Sequence, residues 1–198
     1  MDLLGTSIGS WRFACYTQPD PLAAIDRFEE AYFEQAYSRK PSPVEISQVC
    51  SRILESLLEG QHRAIVSNSQ RRLHTIANRC RPVMLDRNGE PSKVPLGAAA
   101  LMNVMGRHQL RHFFERILFA PPSSQLPFHP AIFRQENVQL ATDNLHQALM
   151  ATASIHSSCK PSTTYREVQG VPAWTVASST TTSTLRYPMN TASYCNCI

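Results

Sequence analysis

The sequence predicts an all-α protein: a four-helix up-down bundle with a basic extended or small β excursion between helices two and three, and a disordered C-terminal tail. Apolar residues recur at helical spacing in four segments of the 198-residue chain. This periodicity disappears between the second and third segments, where arginines accumulate. The last residues are mostly Ser, Thr and other small side chains, which bury too little apolar surface to offset the entropy of ordering. We therefore expect one domain over residues 1–177 and a flexible tail over residues 178–198.

The first two predicted helices begin with the same start signal. Residues 20–38 open with Asp20 as the N-cap and Pro21 at the first helical position, and residues 42–59 open in the same way at Ser42. The apolar stripes are Leu22, Ile25, Phe28, Tyr32 and Ala36 in the first helix, and Ile46, Val49, Ile53 and Leu57 in the second. The short "RKPSP" connection predicts that the two helices lie antiparallel.

Residues 61–94 show no helical periodicity. They contain short apolar pieces and an Asn88-Gly89 turn signal, so we expect extended chain or a small hairpin here. Six arginines fall in this segment: Arg63, Arg71, Arg72, Arg79, Arg81 and Arg87.

The third predicted helix is "PLGAAALMNVMGRHQLRHFFERIL", which begins at Pro95. Its second half is basic, and the four-residue spacing places Arg107 and Arg111 on one helix face. A proline-rich loop precedes the fourth predicted helix, "ENVQLATDNLHQALMATA". Arg134 stands just before that helix, where free backbone N–H groups favour anions.

Charge and cysteine content narrow the functional classes. The formal net charge is +4, and all but three of the 19 cationic side chains are arginine. Because a planar guanidinium suits bidentate phosphate contacts, this bias favours a polyanionic partner. The six cysteines have no C-x-x-C spacing, the chain opens without a secretory leader, and no run of 18 apolar residues occurs. We expect reduced thiols, a cytosolic location and no membrane contact.

Catalytic, metal-binding and lipid-attachment patterns are weak. His108 and His112 have the spacing of zinc ligands, but no third ligand stands near them and H-E-x-x-H is absent. No Ser-His-Asp or Cys-His order and no phosphate-cradling glycine loop stand out. The terminal "CNCI" has the polar Asn196 where a prenylation box has an aliphatic residue. We expect no enzyme activity, no metal, no cofactor and no small-molecule substrate.

The order of these pieces resembles the coat proteins of rod-shaped plant RNA viruses of the tobacco mosaic virus type. Trp11 and Phe13 precede the Asp-Pro helix start in "PDPLAAI". "VPLGAAALMNVMGRHQLR" resembles the third helix of that family, "FRQENVQLATDNLHQAL" its fourth, and "TTYREVQGVPAW" its closing pattern. The resemblance covers roughly residues 11–180, and its specific feature is the order and spacing of the motifs.

The resemblance implies contacts with single-stranded viral RNA. Arginines would bind phosphates, and small or amide side chains of the fourth helix would face the bases. The implied RNA-binding residues are Arg107, Arg111, Arg134, Glu136, Asn137, Leu140, Ala141 and Asn144, with Arg52 of the second helix as a weaker candidate. The chain departs from the family at Gln109, where an arginine is usual, and at Asn137, where a second acid is usual.

The family also keeps carboxylates close together across subunit contacts, so that their repulsion loosens the rod when they ionise. Glu55, Glu59 and Glu90 are the expected contributors here, by their placement near the end of helix two and the entry of helix three. Because Val94 replaces one family acid, we expect a weaker pH switch than usual in the family.

The expected function is therefore that of a capsid subunit that assembles helically with itself around genomic RNA, in the virion and the host cytoplasm. A small helical RNA-binding silencing suppressor or host-interaction protein is the alternative. In either case Trp174 is expected to be the outermost anchor of the fold, and Cys195 and Cys197 are expected to be exposed in the tail.

Overall fold

A mixed four-stranded sheet lies at the centre of the fold, so the predicted all-α four-helix bundle is wrong. The computed structural model describes residues 1–86, 92–122 and 133–153. Its helices and strands are, in chain order, β1 (Asp2–Gly5), α1 (Ile8–Tyr16), α2 (Pro21–Phe33), α3 (Pro43–Leu58), α4 (His62–Val66), β2 (Arg72–Cys80), α5 (Lys93–Met105), β3 (Phe114–Ala120), β4 (Gln135–Gln139) and α6 (Leu145–Ala153). Two 3₁₀ segments, Pro82–Met84 and Arg107–His112, flank α5.

The strands lie in chain order across the sheet, β1-β2-β3-β4. β1 runs parallel to β2, β2 antiparallel to β3, and β3 parallel to β4. The arginine-rich segment that the sequence predicts as an extended excursion therefore supplies β2, which is an interior strand. The prediction of extended chain is confirmed there, and the strand belongs to the core of the fold. The predicted Asn88-Gly89 turn lies outside the described residues.

The first two predicted helices are confirmed in type and in their start signals. The Asp20 carboxylate accepts a hydrogen bond from the Ala23 backbone N–H at 3.1 Å, and the Ser42 hydroxyl accepts one from the Glu45 N–H at 3.1 Å. The two helices, α2 and α3, pack against each other. Local capping chemistry therefore predicted these two starts correctly.

The third and fourth helices are shorter than predicted, because strands take over half of each segment. Gly106 has φ 149°, a backbone conformation that favours glycine, and α5 ends there. The following "FERILFA" is rich in aromatic and branched residues and pairs with β2 as β3. In the same way, Gln135–Gln139 pairs with β3 as β4, and α6 begins only at Leu145.

The main core lies between one face of the sheet and the helices α1, α3 and α6. The buried Trp11 of α1 packs edge-on against Phe28, and its indole N–H donates to the Leu149 carbonyl at 2.9 Å. Thr152 of α6 donates its hydroxyl to the Ile76 carbonyl at 2.6 Å. A second, smaller core lies under α5 and consists of Cys80, Met84, Ala99 and Phe114.

Several predictions fall on residues outside the described part of the chain. They concern Trp174 as the outermost anchor, the tail over residues 178–198 with Cys195 and Cys197, and the carboxylate Glu90. Within the described ranges, no helix is both long enough and apolar enough to span a bilayer.

Candidate functional site

A network of ion pairs joins β2, β3 and β4. Arg79 Nη2 lies 2.9 Å from Glu115 Oε2 and 2.8 Å from Glu136 Oε2. The strand register explains this meeting, because Arg79 is paired with Glu115 and Glu136 is paired with Ile117, two residues further along the same face of β3. Arg79 and Glu115 are also largely shielded from water, with side chains 14% and 18% exposed. This pairing makes Arg79 the centre of the network.

Two further arginines approach Glu115 from the outside. Arg81 Nε lies 3.6 Å from Glu115 Oε1, and Arg134 Nη1 lies 3.8 Å from the same oxygen. The side chain of Arg134 is 77% exposed. Arg81 also donates a long hydrogen bond, 3.4 Å, to the carbonyl of Arg111, which places Arg111 beside the network. We call Arg81, Arg111 and Arg134 the arginine surface.

Positive charges outnumber negative ones among the described residues of this region. Within that part of the chain, the guanidinium groups of Arg79, Arg81 and Arg134 pair with two carboxylates, and the exposed Arg111 adds another positive charge. Burial lowers the pKa of Arg79, but the hydrogen bond to Glu115 and the charges of both carboxylates outweigh it and raise that pKa. Because Arg79 holds both carboxylates closely, the outer arginines are only loosely neutralised and can accept an anion.

The predicted pair Arg107 and Arg111 lies on a 3₁₀ segment and not on the third helix. Both side chains are exposed. With about three residues per turn in a 3₁₀ helix, residues four apart no longer share a face. The prediction that they form one helical stripe is therefore wrong, although the backbone carbonyl of Arg111 lies within hydrogen-bond distance of Arg81.

Arg134 precedes a strand, so the expected attraction of anions to a helix N-terminus does not apply to it. Its position at the start of β4 instead brings it to Glu115, and Glu136 follows in the same network. The neighbouring Asn137 is exposed on β4.

The predicted base-facing positions on the fourth helix have structural contacts. Leu140 is buried in the main core. The Asn144 side chain accepts a hydrogen bond from the Ala141 N–H and donates one to the Gln139 carbonyl, each at 2.8 Å. These bonds close the turn between β4 and α6, so this segment has no helix face to offer at Leu140 and Ala141.

The remaining predicted residues lie on α3 or just after it. Arg52 is exposed, and Glu55 accepts a hydrogen bond from the Ser51 hydroxyl at 3.0 Å. Glu59 Oε2 lies 2.9 Å from Arg27 Nε, although the angle does not make a hydrogen bond. Within the chain, Glu59 is thus paired with a cation.

Sequence reasoning did not single out Arg79, Arg81 or Glu115 as site residues. Arg79 and Arg81 stood among the six arginines of a segment without periodicity, and Glu115 stood inside a predicted helix. Only the register of β2 against β3 brings them together. The run of branched and aromatic residues in "FERILFA" was the available signal, since a short apolar run of this kind is typical of a buried strand.

Neither metal-ligand geometry in the described residues nor comparison with known proteins indicates a different site. In the described ranges, no group of three or more His, Cys, Asp or Glu side chains is arranged to hold a metal ion. Comparison of the chain with protein-family models, with curated proteins and with solved structures finds no match in any of the three.

Proposed function

We propose that this protein binds single-stranded RNA through the arginine surface, as a subunit of a helical coat around viral genomic RNA. The observation that carries the proposal is the convergence of Arg81 and Arg134 on Glu115, whose charge is already shared with Arg79. Arg111 lies beside them, because its backbone carbonyl accepts a hydrogen bond from Arg81. Loosely neutralised guanidinium groups at one edge of a sheet suit the closely spaced phosphates of a nucleic acid.

Contacts of this kind favour packaging over sequence recognition. Phosphate contacts supply affinity that depends on salt and carry no base information. A coat must cover every stretch of its genome, so a binding mode dominated by phosphates fits that task. The motif order that resembles rod-shaped virus coats supports the same function, although the fold that the resemblance implies is not the fold of this chain.

Self-association is supported by the outer face of α5. Val94, Leu101, Val104 and Met105 of this helix are all at least 67% exposed. The opposite face of α5 packs its Ala99 into the smaller core. A large exposed apolar stripe on one helix is a surface that soluble proteins commonly bury against a partner, and in a coat that partner is a second copy of the chain.

The test is electron microscopy of the purified protein with and without single-stranded RNA. We expect rods or stacked discs that contain nuclease-protected RNA, and we expect the same assemblies as virions in the host cytoplasm. The double variant Arg111→Ala with Arg134→Ala should protect less RNA, whereas a matched double variant at the exposed Arg12 and Arg39 should behave as the native protein.

Two outcomes would contradict the proposal. Small discrete particles that bind RNA would favour the alternative, an RNA-binding silencing suppressor or host-interaction protein. A protein that binds no RNA at low salt would exclude both the coat function and an RNA-binding silencing suppressor, and would leave the host-interaction protein.

A further inference from the structure

The sheet face opposite the arginine surface has a polar row next to its β4 edge. Asn78, Arg116 and Gln135 lie side by side on three neighbouring strands, because Arg116 is the register partner of both others. Asn137 follows Gln135 on the same face of β4, and it is exposed. The Arg116 guanidinium and the side-chain amides of Asn78, Gln135 and Asn137 therefore share one part of this face.

Arg116 is a cation without a counter-charge in the described part of the chain. Its side chain is half-buried, and its Nε is buried with no hydrogen-bond partner. None of the described carboxylates pairs with it, and burial lowers the pKa of its guanidinium. Its Cζ lies 5.3 Å from the centre of the Phe133 ring, a cation–π distance. A half-buried donor left without a partner is costly, so this position suits a ligand that brings acceptors.

We propose that this polar row, together with Phe133, contacts the bases of single-stranded RNA whose phosphates lie on the arginine surface. The inference rests on the proposed function. It adds that one face of the sheet binds the phosphates and the opposite face binds the bases. It moves base contact from the predicted fourth helix to Phe133, Arg116, Gln135 and Asn137.

The edge strand provides the required geometry. Consecutive strand residues point to opposite faces, so Arg134 and Gln135 lie on either side of the β4 edge. The backbone N–H of Arg116 donates to the Arg134 carbonyl at 2.8 Å, which places both arginines at the same level of the sheet. An RNA strand that crosses this edge would meet the Arg134 guanidinium with its phosphate and the polar row with its bases.

The side chains of the row suit base contact without strict sequence choice. Gln135 Nε2 donates to Asn137 Oδ1 at 2.8 Å, an orientation that directs the Asn137 amide N–H₂ and the Gln135 carbonyl oxygen to other partners. One donor and one acceptor match the edge of any base in some orientation. The Phe133 ring adds a stacking surface, which every base can use.

The experiment compares RNA with a ligand that has phosphates but no bases. Binding of the full chain is measured with a fluorescent single-stranded RNA of about 20 nucleotides, which is longer than the roughly 4–16 nucleotides of typical single-strand sites. Competition by inorganic polyphosphate is measured alongside. The variants are Asn137→Ala and Phe133→Leu, and Gln48→Ala, at an exposed amide residue of α3, is the matched control.

We expect Asn137→Ala to weaken RNA binding about fivefold, the effect of one hydrogen bond, and Phe133→Leu about tenfold, the effect of one stacked base. Competition by polyphosphate and the salt dependence should not change in either variant. RNA that carries 5-iodouridine should form a photocrosslink to Phe133 in the native protein.

The result that overturns the inference is equal weakening of RNA and polyphosphate, which would make the row a second phosphate site. Native RNA affinity in both variants would overturn it as well. The exposed Asn137 provides a test in which folding is not at risk. If the native protein binds neither polyphosphate nor RNA, the proposed function is wrong, and this inference is wrong with it.

Discussion

Replacing Arg134 with alanine should weaken RNA binding in a salt-dependent way and leave the fold intact. The side chain is 77% exposed, and its only described ion pair is a 3.8 Å contact with Glu115. Exposed pairs of this kind contribute at most about 1 kcal/mol, so the free energy of unfolding should change little. The measurable effect is therefore on RNA, through the loss of one phosphate contact.

The size of that effect follows from counterion release. One lost contact reduces the slope of log K against log salt by about 0.7 for a single strand. Between about 50 and 200 mM salt, a fourfold change, the native protein should thus lose affinity about 2.6-fold more than the variant does. Fluorescence anisotropy with labelled single-stranded RNA at several salt concentrations measures both slopes.

Two variants sharpen this measurement. Arg134→Lys keeps the charge and should keep the native slope, while its affinity falls because a lysine cannot make bidentate contacts. Arg39→Ala removes an exposed arginine from the α2–α3 connection and should leave slope and affinity unchanged. A native slope in Arg134→Ala, or an equal loss in Arg39→Ala, would show that binding depends on net charge and not on the arginine surface.

Three further predictions concern stability. Burial lowers the pKa of His74 below its usual 6.5. The unfolded state therefore binds more protons, and the free energy of unfolding should fall as the pH drops below about 6.5. Between pH 7 and pH 5, the urea midpoint should fall less in His74→Gln than in the native protein. Trp11→Phe removes the hydrogen bond to the Leu149 carbonyl and should cost about 1–3 kcal/mol in urea unfolding followed by circular dichroism, and a silent variant would mean that the bond contributes nothing. Thr152→Val removes the hydroxyl bonded to the Ile76 carbonyl and should cost about as much, whereas Thr152→Ser should retain most of the stability.

Local chemistry made the first half of the chain predictable. The caps at Asp20 and Ser42 and the proline that follows each depend only on neighbouring residues, and both helices begin where predicted. The short helix α1 was missed, since it has neither a side-chain cap nor an acidic first turn. Its Trp11 is part of the family resemblance and belongs to the main core.

The second half was mispredicted because helical and extended patterns overlap there. The segment that begins at Pro95 contains apolar residues at spacings that suit either structure, and the fourth segment places Val138 and Leu145 seven residues apart, as a helix would. What decides between them is the interior strand β2. On the side away from β1, the backbone N–H and C=O groups of β2 need partners, and β3 pairs with them. β4 then pairs with β3 and extends the sheet.

Part of the candidate site could also be predicted from the sequence, and part could not. Arg111, Arg134 and Glu136 could be named from the sequence, because arginine is the side chain that phosphate recognition most often uses and the motif order drew attention to them. Their arrangement was expected along helix faces. The structure instead brings Arg134 and Glu136 together with Arg79, Arg81 and Glu115 on the sheet, and the backbone of Arg111 lies beside them.

The sequence by itself determined the helix starts, the arginine bias and the extended character of β2, because each depends on composition or on contacts within a few residues. Only the tertiary structure decided which charges meet. Arg79, Glu115 and Glu136 are far apart in sequence, and strand register alone places them on one face with their charged groups within 2.9 Å. Register is set by which face of each strand is buried against the helices, and that choice involves the whole core at once.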